Sequence, residues 1–373
     1  MSEPSEILET ALQRVVINLQ KVIVLNNQIR QKCEYISNNL SNRAGVRLLM
    51  SCLLAKIHNP EVDIRKPYTQ IGGKDSFSGR TYDEQYITAF INKYNLPCNT
   101  TTAFLTPALR NRNETLVQGL NLVGRPPQLY TYALDLLDDV YSNRILASDL
   151  LAEVIRLLII LRDQRQQRIK ELTQALETTK DAIPLSSEDI IKLIEQHLSL
   201  KGTSRLPVLI VAAAYSAAQK YLGERVVALQ SHNAADSQTG AIGDIEITLV
   251  NDNKVITSYE MKDKRVTKED VDRALKKLSV IQNKPDNYIF VTTDEIVSEV
   301  RNYACSLYLE TNGIEFVILD CIGFIRHYLH LFHRLRTSFL QEYQKLILAE
   351  PESSISQPVK EAFLSMRHAA EAE

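Results

Sequence analysis

Hydrophobic spacing changes period part-way along the chain, near Asp181-Ala-Ile-Pro184, and that change excludes any single repeating architecture. Before it, apolar residues recur at helical spacing. Ile7, Leu8, Ala11, Leu12, Val15, Val16 and Leu19 mark a helical stretch over residues 6–33, with further helices predicted at 44–57, 128–142 and 147–179. Beyond Pro184, helices at 187–198 and 206–221 lead into runs at 225–230, 244–250 and 255–262 with the β-branched or alternating character of strands. Helix and strand then alternate. A helix opens at Thr267, with Asp270 at the capping-box distance, and reaches about Val280; a strand at 288–292, a helix at 294–309, a strand at 316–320 and a long final helix at 324–348 follow. The order α-β-β-β-α-β-α-β-α predicts a mixed central sheet flanked by helices, an α/β (α+β) fold, behind a mainly helical N-terminal region. The expected domains are residues 1–184 and 185–373.

Composition narrows the function classes only modestly. Hydrophobic residues at 45% and charged residues at 24% describe an ordinary folded chain and exclude a disordered or fibrous one. With 43 basic and 45 acidic side chains, net −2, no global field attracts nucleic acid, so such a partner needs a local basic surface. Cys33, Cys52, Cys98, Cys305 and Cys321 are scattered without a CxxC pair, which argues against a disulfide framework or a thiolate zinc knuckle and predicts a reducing, cytoplasmic setting. The acidic start reads as no secretory signal, and the longest apolar runs fall far short of the ~20 residues that span a bilayer, so no membrane partner is expected.

Chemistry concentrates in one predicted hairpin. Gly243-Asp-Ile-Glu-Ile-Thr-Leu-Val250 and Val255-Ile-Thr-Ser-Tyr-Glu-Met-Lys262 are joined by the turn-like Asn251-Asp-Asn-Lys254. If Val250 pairs with Val255, Asp244 lies opposite Met261, between Glu260 and Lys262. Ile245, Ile247 and Leu249 then take one face and Asp244, Glu246 and Thr248 the other, while Glu260 and Lys262 share a face. Two carboxylates and an amine converge at one strand end. Hard oxygen donors of this kind suit Mg²⁺, with Asp244 and Glu260 as ligands, the Met261 carbonyl as a third and Glu246 as an accessory carboxylate. Lys262 would sit beside the attacking water, an arrangement for metal-assisted phosphodiester hydrolysis. Glu-x-Lys alone is commonly a solvated face. The functional reading gains from an Asp at matching height, a preceding Gly that permits close approach to a ligand, and the flanking element order.

Asp244-(x15)-Glu260-Met261-Lys262 in an α-β-β-β-α-β setting resembles the PD-(D/E)xK nuclease superfamily, with Gly243 where the motif has proline. Four segments narrow this: Ala235-Asp-Ser-Gln-Thr-Gly-Ala-Ile-Gly-Asp-Ile-Glu246, Tyr259-Glu-Met-Lys-Asp-Lys-Arg-Val266, Ile71-Gly-Gly-Lys-Asp-Ser-Phe-Ser-Gly-Arg-Thr-Tyr-Asp83, and Leu96-Pro-Cys-Asn-Thr-Thr-Thr-Ala-Phe-Leu-Thr-Pro107. Together, in their order along the chain, they resemble the SacI family of type II restriction endonucleases. The resemblance implies a Mg²⁺-dependent homodimer that cuts double-stranded DNA at a short palindrome of the GAGCTC kind. Two readings stay open beside it: a structure-selective or nicking repair nuclease on the same core, and a DNA-binding regulator whose hairpin is merely structural.

The expected DNA-binding residues lie in two places. Residues 41–80 hold seven Lys or Arg against three Asp or Glu, and within them Lys74, Ser76, Ser78 and Arg80 stand among glycines. Arg can fork onto guanine O6 and N7, and Asn99 and Thr101 offer donors and acceptors for bases or phosphate. Lys264, Arg265 and Lys268, just after the catalytic strand, are placed to clamp phosphate. A further motif, His327-x-x-His330-x-x-His333, is awkward as a three-way metal site because positions six apart drift to opposite flanks of a helix.

Overall fold

Two compact units, Met1–Gln167 and Arg168–Glu373, make up the chain in this computed structural model. The structure describes residues 3–39, 41–99, 101–178, 183–227, 229 and 241–372.

The N-terminal unit is built on helices. α1 (Pro4–Val16) opens with a proline in its first turn and a reciprocal Glu3–Glu6 capping box, and buries Leu8, Leu12 and Val15. The single helical stretch expected over 6–33 is instead two helices. α2 (Asn27–Asn38) restarts after Asn26, whose side chain accepts from the Gln28 and Ile29 N–H groups at 3.0 and 3.3 Å. α3 (Ala44–His58) is buried on every side from Ala44 to Ala55, so this helix is the centre of the unit's core. The glycine-punctuated segment that follows contains α4 (Gly79–Tyr82), a π-helical turn (Asp83–Ile87) and α5 (Thr88–Lys93). α6 (Pro127–Tyr141) and α7 (Ala147–Thr178) follow the predicted spans closely, and the division between units falls within α7.

The C-terminal unit carries the sheet. α8 (Ser187–Leu198) and α9 (Leu206–Leu222) come first, and α9 ends at Gly223 in the left-handed region (φ 69°). Five strands, β1 (Glu224–Val226), β2 (Ile245–Leu249), β3 (Val255–Lys262), β4 (Asn287–Thr292) and β5 (Glu315–Asp320), pair in that order. β1 to β3 are antiparallel, while β3, β4 and β5 are parallel and are connected by α10 (Lys268–Ser279) and α11 (Ser298–Glu310). Alternation along β4 shows how the layers form. Tyr288 and Phe290 join the core under α10 and α11, while Ile289 and Val291 join the core of α8, α9 and the C-terminal helices. The mixed sheet flanked by helices is thus the α/β arrangement that the element order predicts.

Three expectations change. The β2–β3 register runs Ile245↔Tyr259, not with Asp244 opposite Met261, and a bulge between Ile247 and Thr248 shifts the ladder. Burial at the end of β2 also departs from the expected alternation: Thr248 is buried and Leu249 is exposed. The long final helix expected over 324–348 is two helices, α12 (Cys321–Leu331) and α13 (Arg336–Ala349), and a further helix, α14 (Gln357–Ala372), follows them. α14 packs back through buried His197 of α8, whose Nε2 lies 3.1 Å from Val359 O and whose Nδ1 lies 3.0 Å from Tyr343 OH. Of the strand expected over 225–230, Ala228 and Gln230 lie outside the described residues, as do Ala235 to Gly240 of the quoted motif and Thr100. Among the described residues no helix is long and apolar enough to cross a membrane.

Candidate active site

The C-terminal end of β3 gathers the residues singled out in the hairpin. Past Ile245 the regular ladder gives way and Asp244 folds onto β3: its N–H donates to Tyr259 O at 2.8 Å, and its Oδ2 accepts from the Met261 N–H at 2.7 Å. Gly243 makes this possible. A Cβ there would lie 2.5 Å from Tyr259 O and 2.5 Å from Ser258 Oγ, so no side chain fits. The close approach is therefore to the protein's own strand, not to a ligand. Gly243→Ala is expected to displace Asp244 and lower cleavage by roughly 10²-fold, the scale of a displacement near 1 Å. Cleavage rates beside circular dichroism of the variant check this, and wild-type rates would show that Asp244 tolerates the shift.

Glu260 and Lys262 share a face, as their spacing predicts, and meet directly: Lys262 Nζ lies 2.5 Å from Glu260 Oε1, with each side chain 24% exposed. Two partners that the sequence reading missed complete the cluster. Tyr288 on β4, fully buried, donates its hydroxyl to Glu260 Oε2 and reaches Ile242 O at 3.3 Å. Asp270, in the first turn of α10, lies with Oδ1 3.3 Å from Lys262 Nζ. Burial alone would lower the Lys262 pKa, but the Glu260 and Asp270 carboxylates outweigh it and hold the ammonium above its ordinary range. Burial would likewise raise Asp270. The Thr267 N–H and hydroxyl, Lys262 and Arg273 hold its carboxyl down at about 2 instead.

Asp270 thus has two functions. Its Oδ2 closes a reciprocal capping box with Thr267 at 2.9 Å, a pairing usually made by Glu or Gln, while its Oδ1 faces the lysine. The Thr267-x-x-Asp270 spacing was visible as a cap; its lysine contact was not. Glu246 turns back on its own strand, accepting from the Ile242 N–H at 2.6 Å. It steadies the segment leading into Asp244.

With this geometry in view, comparison with known families is decisive for one segment. Residues 182–293 match the SacI restriction endonuclease C-terminal domain. Over that segment the chain is similar to a restriction endonuclease domain, which bears out the resemblance read from the sequence. Asp244, Glu260, Lys262, Asp270 and Tyr288 all fall within the SacI-like segment, and the N-terminal unit lies outside it. No curated protein matches the chain.

The other predicted residues are dispersed. Following the SacI-like strand, Lys264 is exposed, Arg265 pairs with Glu295 at 2.9 Å, and Lys268 Nζ sits 4.8 Å above the Tyr303 ring. In the N-terminal unit Lys74 is exposed, Ser76 Oγ donates to Gly73 O at 3.0 Å, and Ser78 caps α4 by accepting from the Thr81 N–H at 3.2 Å. Arg80 is exposed and its Nε donates to Glu84 at 2.7 Å. Asn99 and Thr101 are exposed on a loop held from beneath by a buried ion pair. Arg47 meets Asp83 Oδ1 at 2.8 Å with both side chains fully buried, and its Nη1 donates to Asn99 O. Asp83 Oδ2 accepts from Thr102 Oγ1 at 2.5 Å and from the Ala103 N–H at 2.7 Å. The histidine motif does not converge: α12 ends at Leu331, His333 lies in the turn beyond it, and His330 pairs with Glu188 at 2.9 Å. Among the described residues no cluster of three or more His, Cys, Asp or Glu side chains could hold a metal ion.

Proposed function

We propose that the protein is a type II restriction endonuclease with a PD-(D/E)xK-type core, which hydrolyses double-stranded DNA at a short palindrome, GAGCTC-like by resemblance, and leaves 5′-phosphate ends. The observation that carries this reading is that Asp244, bound to the Met261 N–H, and the Glu260–Lys262 pair stand together at the end of β3 inside the SacI-like segment. In this reading residues 1–184 supply recognition loops and residues 185–373 the catalytic domain, acting in the cytoplasm.

Asp244 and Glu260 offer hard carboxylate oxygens, the donor chemistry that Mg²⁺ prefers, so this chain's residues fit the divalent ion that the family implies. Asp244, Glu260 and the Met261 carbonyl would hold it, with Glu246 as an accessory carboxylate. When bound, the ion stabilises charge on the phosphoryl oxygens and makes water more acidic. Lys262, held between two carboxylates, orients the attacking water and offsets the negative charge that grows as its oxygen bonds to phosphorus and the bond to the 3′ oxygen breaks. Tyr288 fixes the Glu260 carboxylate through its hydroxyl. Lys74, Ser76, Ser78, Arg80, Asn99, Thr101, Lys264, Arg265 and Lys268 are the proposed DNA contacts.

A palindrome presents the same bases twice, so the economical reader is a two-fold homodimer with one active site per strand. Sedimentation on the cognate duplex in Ca²⁺ is expected to give two chains per site, bound but uncut, because Ca²⁺ takes looser oxygen coordination. One chain per site would contradict the dimer, and rapid cutting in Ca²⁺ alone would contradict the metal chemistry.

A further inference from the structure

A cleft of about 160 Å³ opens in the N-terminal unit, floored by Pro67, Tyr68 and Phe104. Its floor is rigid. Tyr68 and Phe104 pack edge to face at 5.8 Å, and Tyr68 OH donates to Leu109 O at 2.9 Å, which fixes the residue before Arg110. Gly79 packs so tightly on Phe104 and Pro67 that a Cβ would collide with both, and this contact sets Arg80 at the rim.

The walls are polar. Gln70, Ser78, Arg80, Arg110, Asn111 and Asn113 converge on the cleft from three segments of the chain. Asn111 and Asn113 both adopt left-handed backbone (φ 54° and 52°), a conformation Asn tolerates better than most residues, and they turn the chain twice around the cleft mouth. The arginines on this side differ in how far they are committed. Arg80 gives its Nε to Glu84, and Arg112 donates to Asn121 O at 2.7 Å and faces Glu114 at 3.4 Å. Arg110 is exposed, and among the described residues its guanidinium has neither a carboxylate nor a hydrogen-bond partner.

We infer that this cleft is a base-reading site and that Arg110, with Gln70 beside it, determines part of the sequence specificity. The inference rests on the endonuclease reading above and extends it to residues which that reading did not use. An uncommitted guanidinium presents two parallel N–H groups to the O6 and N7 acceptors of guanine, while a neighbouring carboxamide can donate and accept along an adjacent base edge. Phosphate would need only the positive charge. The rigid floor and the hydrogen-bonding walls are what a geometric reader needs in addition.

Arg110→Ala and Arg110→Lys distinguish these roles. Wild-type protein is first used to select its preferred duplex from a randomised pool in Ca²⁺; both variants are then titrated against that duplex and its single-base changes at several salt concentrations. Either variant is expected to lose roughly 10- to 100-fold of the discrimination at one base pair and its symmetry mate, and the lysine variant should keep the wild-type salt dependence. If Arg110→Ala weakens binding to every duplex alike with discrimination intact, or if both variants match the wild type, the assignment of Arg110 is overturned and the endonuclease reading stands. If the wild type itself selects no duplex, the endonuclease reading falls and this inference falls with it.

Discussion

Alanine at Asp244, Glu260 or Lys262 is expected to lower DNA cleavage by roughly 10³-fold or more while leaving specific binding in Ca²⁺ close to wild type. All three belong to the end of β3, where the Met261 N–H holds Asp244 and Lys262 lies against Glu260. Affinity comes from phosphate and base contacts elsewhere, so binding and cutting should separate. Filter binding and single-turnover cleavage on one duplex measure both. Wild-type cleavage in any one of the three variants would remove that residue from the mechanism.

The largest expected effect on stability is in the N-terminal unit. Asp83→Ala leaves the Arg47 guanidinium fully buried without its carboxylate and takes away the acceptor for Thr102 Oγ1 and the Ala103 N–H. Breaking a buried pair from one side costs about 3–5 kcal/mol. In a unit of this size that lowers the melting temperature by on the order of 10 °C. The loop bearing Asn99 and Thr101 should loosen as well, because Arg47 also holds Asn99 O. Thermal unfolding together with hydrogen exchange over residues 99–103 checks both. An unchanged melting temperature would mean that water replaces the carboxylate and that the pair is not the unit's anchor.

How much was legible in the sequence depended on how local the signal was. β3 carries Val255, Ile256 and Thr257 before Tyr259, and its span was read correctly at both ends. α8 was equally clear, since Ser186 caps it and Ile190, Ile191, Leu193 and Ile194 recur on one face. The register was harder. A bulge between Ile247 and Thr248 leaves no mark in the alternation, and one extra residue on β3 displaces every pairing beyond it. The break between α12 and α13 carries neither Gly nor Pro, so an unbroken helix was the natural reading of 324–348.

Long-range partners were the least visible part of the candidate site. Lys262 finds Asp270 on another element, and Glu260 finds Tyr288 across the sheet. Arg47 reads in sequence as a stray cation in an apolar helix, yet its partner Asp83 lies 36 positions away. Gly243 was noticed for the right property and the wrong neighbour, because only the folded strand shows that Tyr259 O occupies the space a side chain would need.

The most direct test of the central claim is digestion of a fully sequenced phage DNA by the purified protein in Mg²⁺, followed by sequencing of every fragment end. The account predicts discrete fragments whose ends all map to one short palindrome, cut on both strands and carrying 5′-phosphates, with none formed by Glu260→Ala. Nicks confined to one strand, ends scattered without a shared sequence, or intact DNA under these conditions would contradict it.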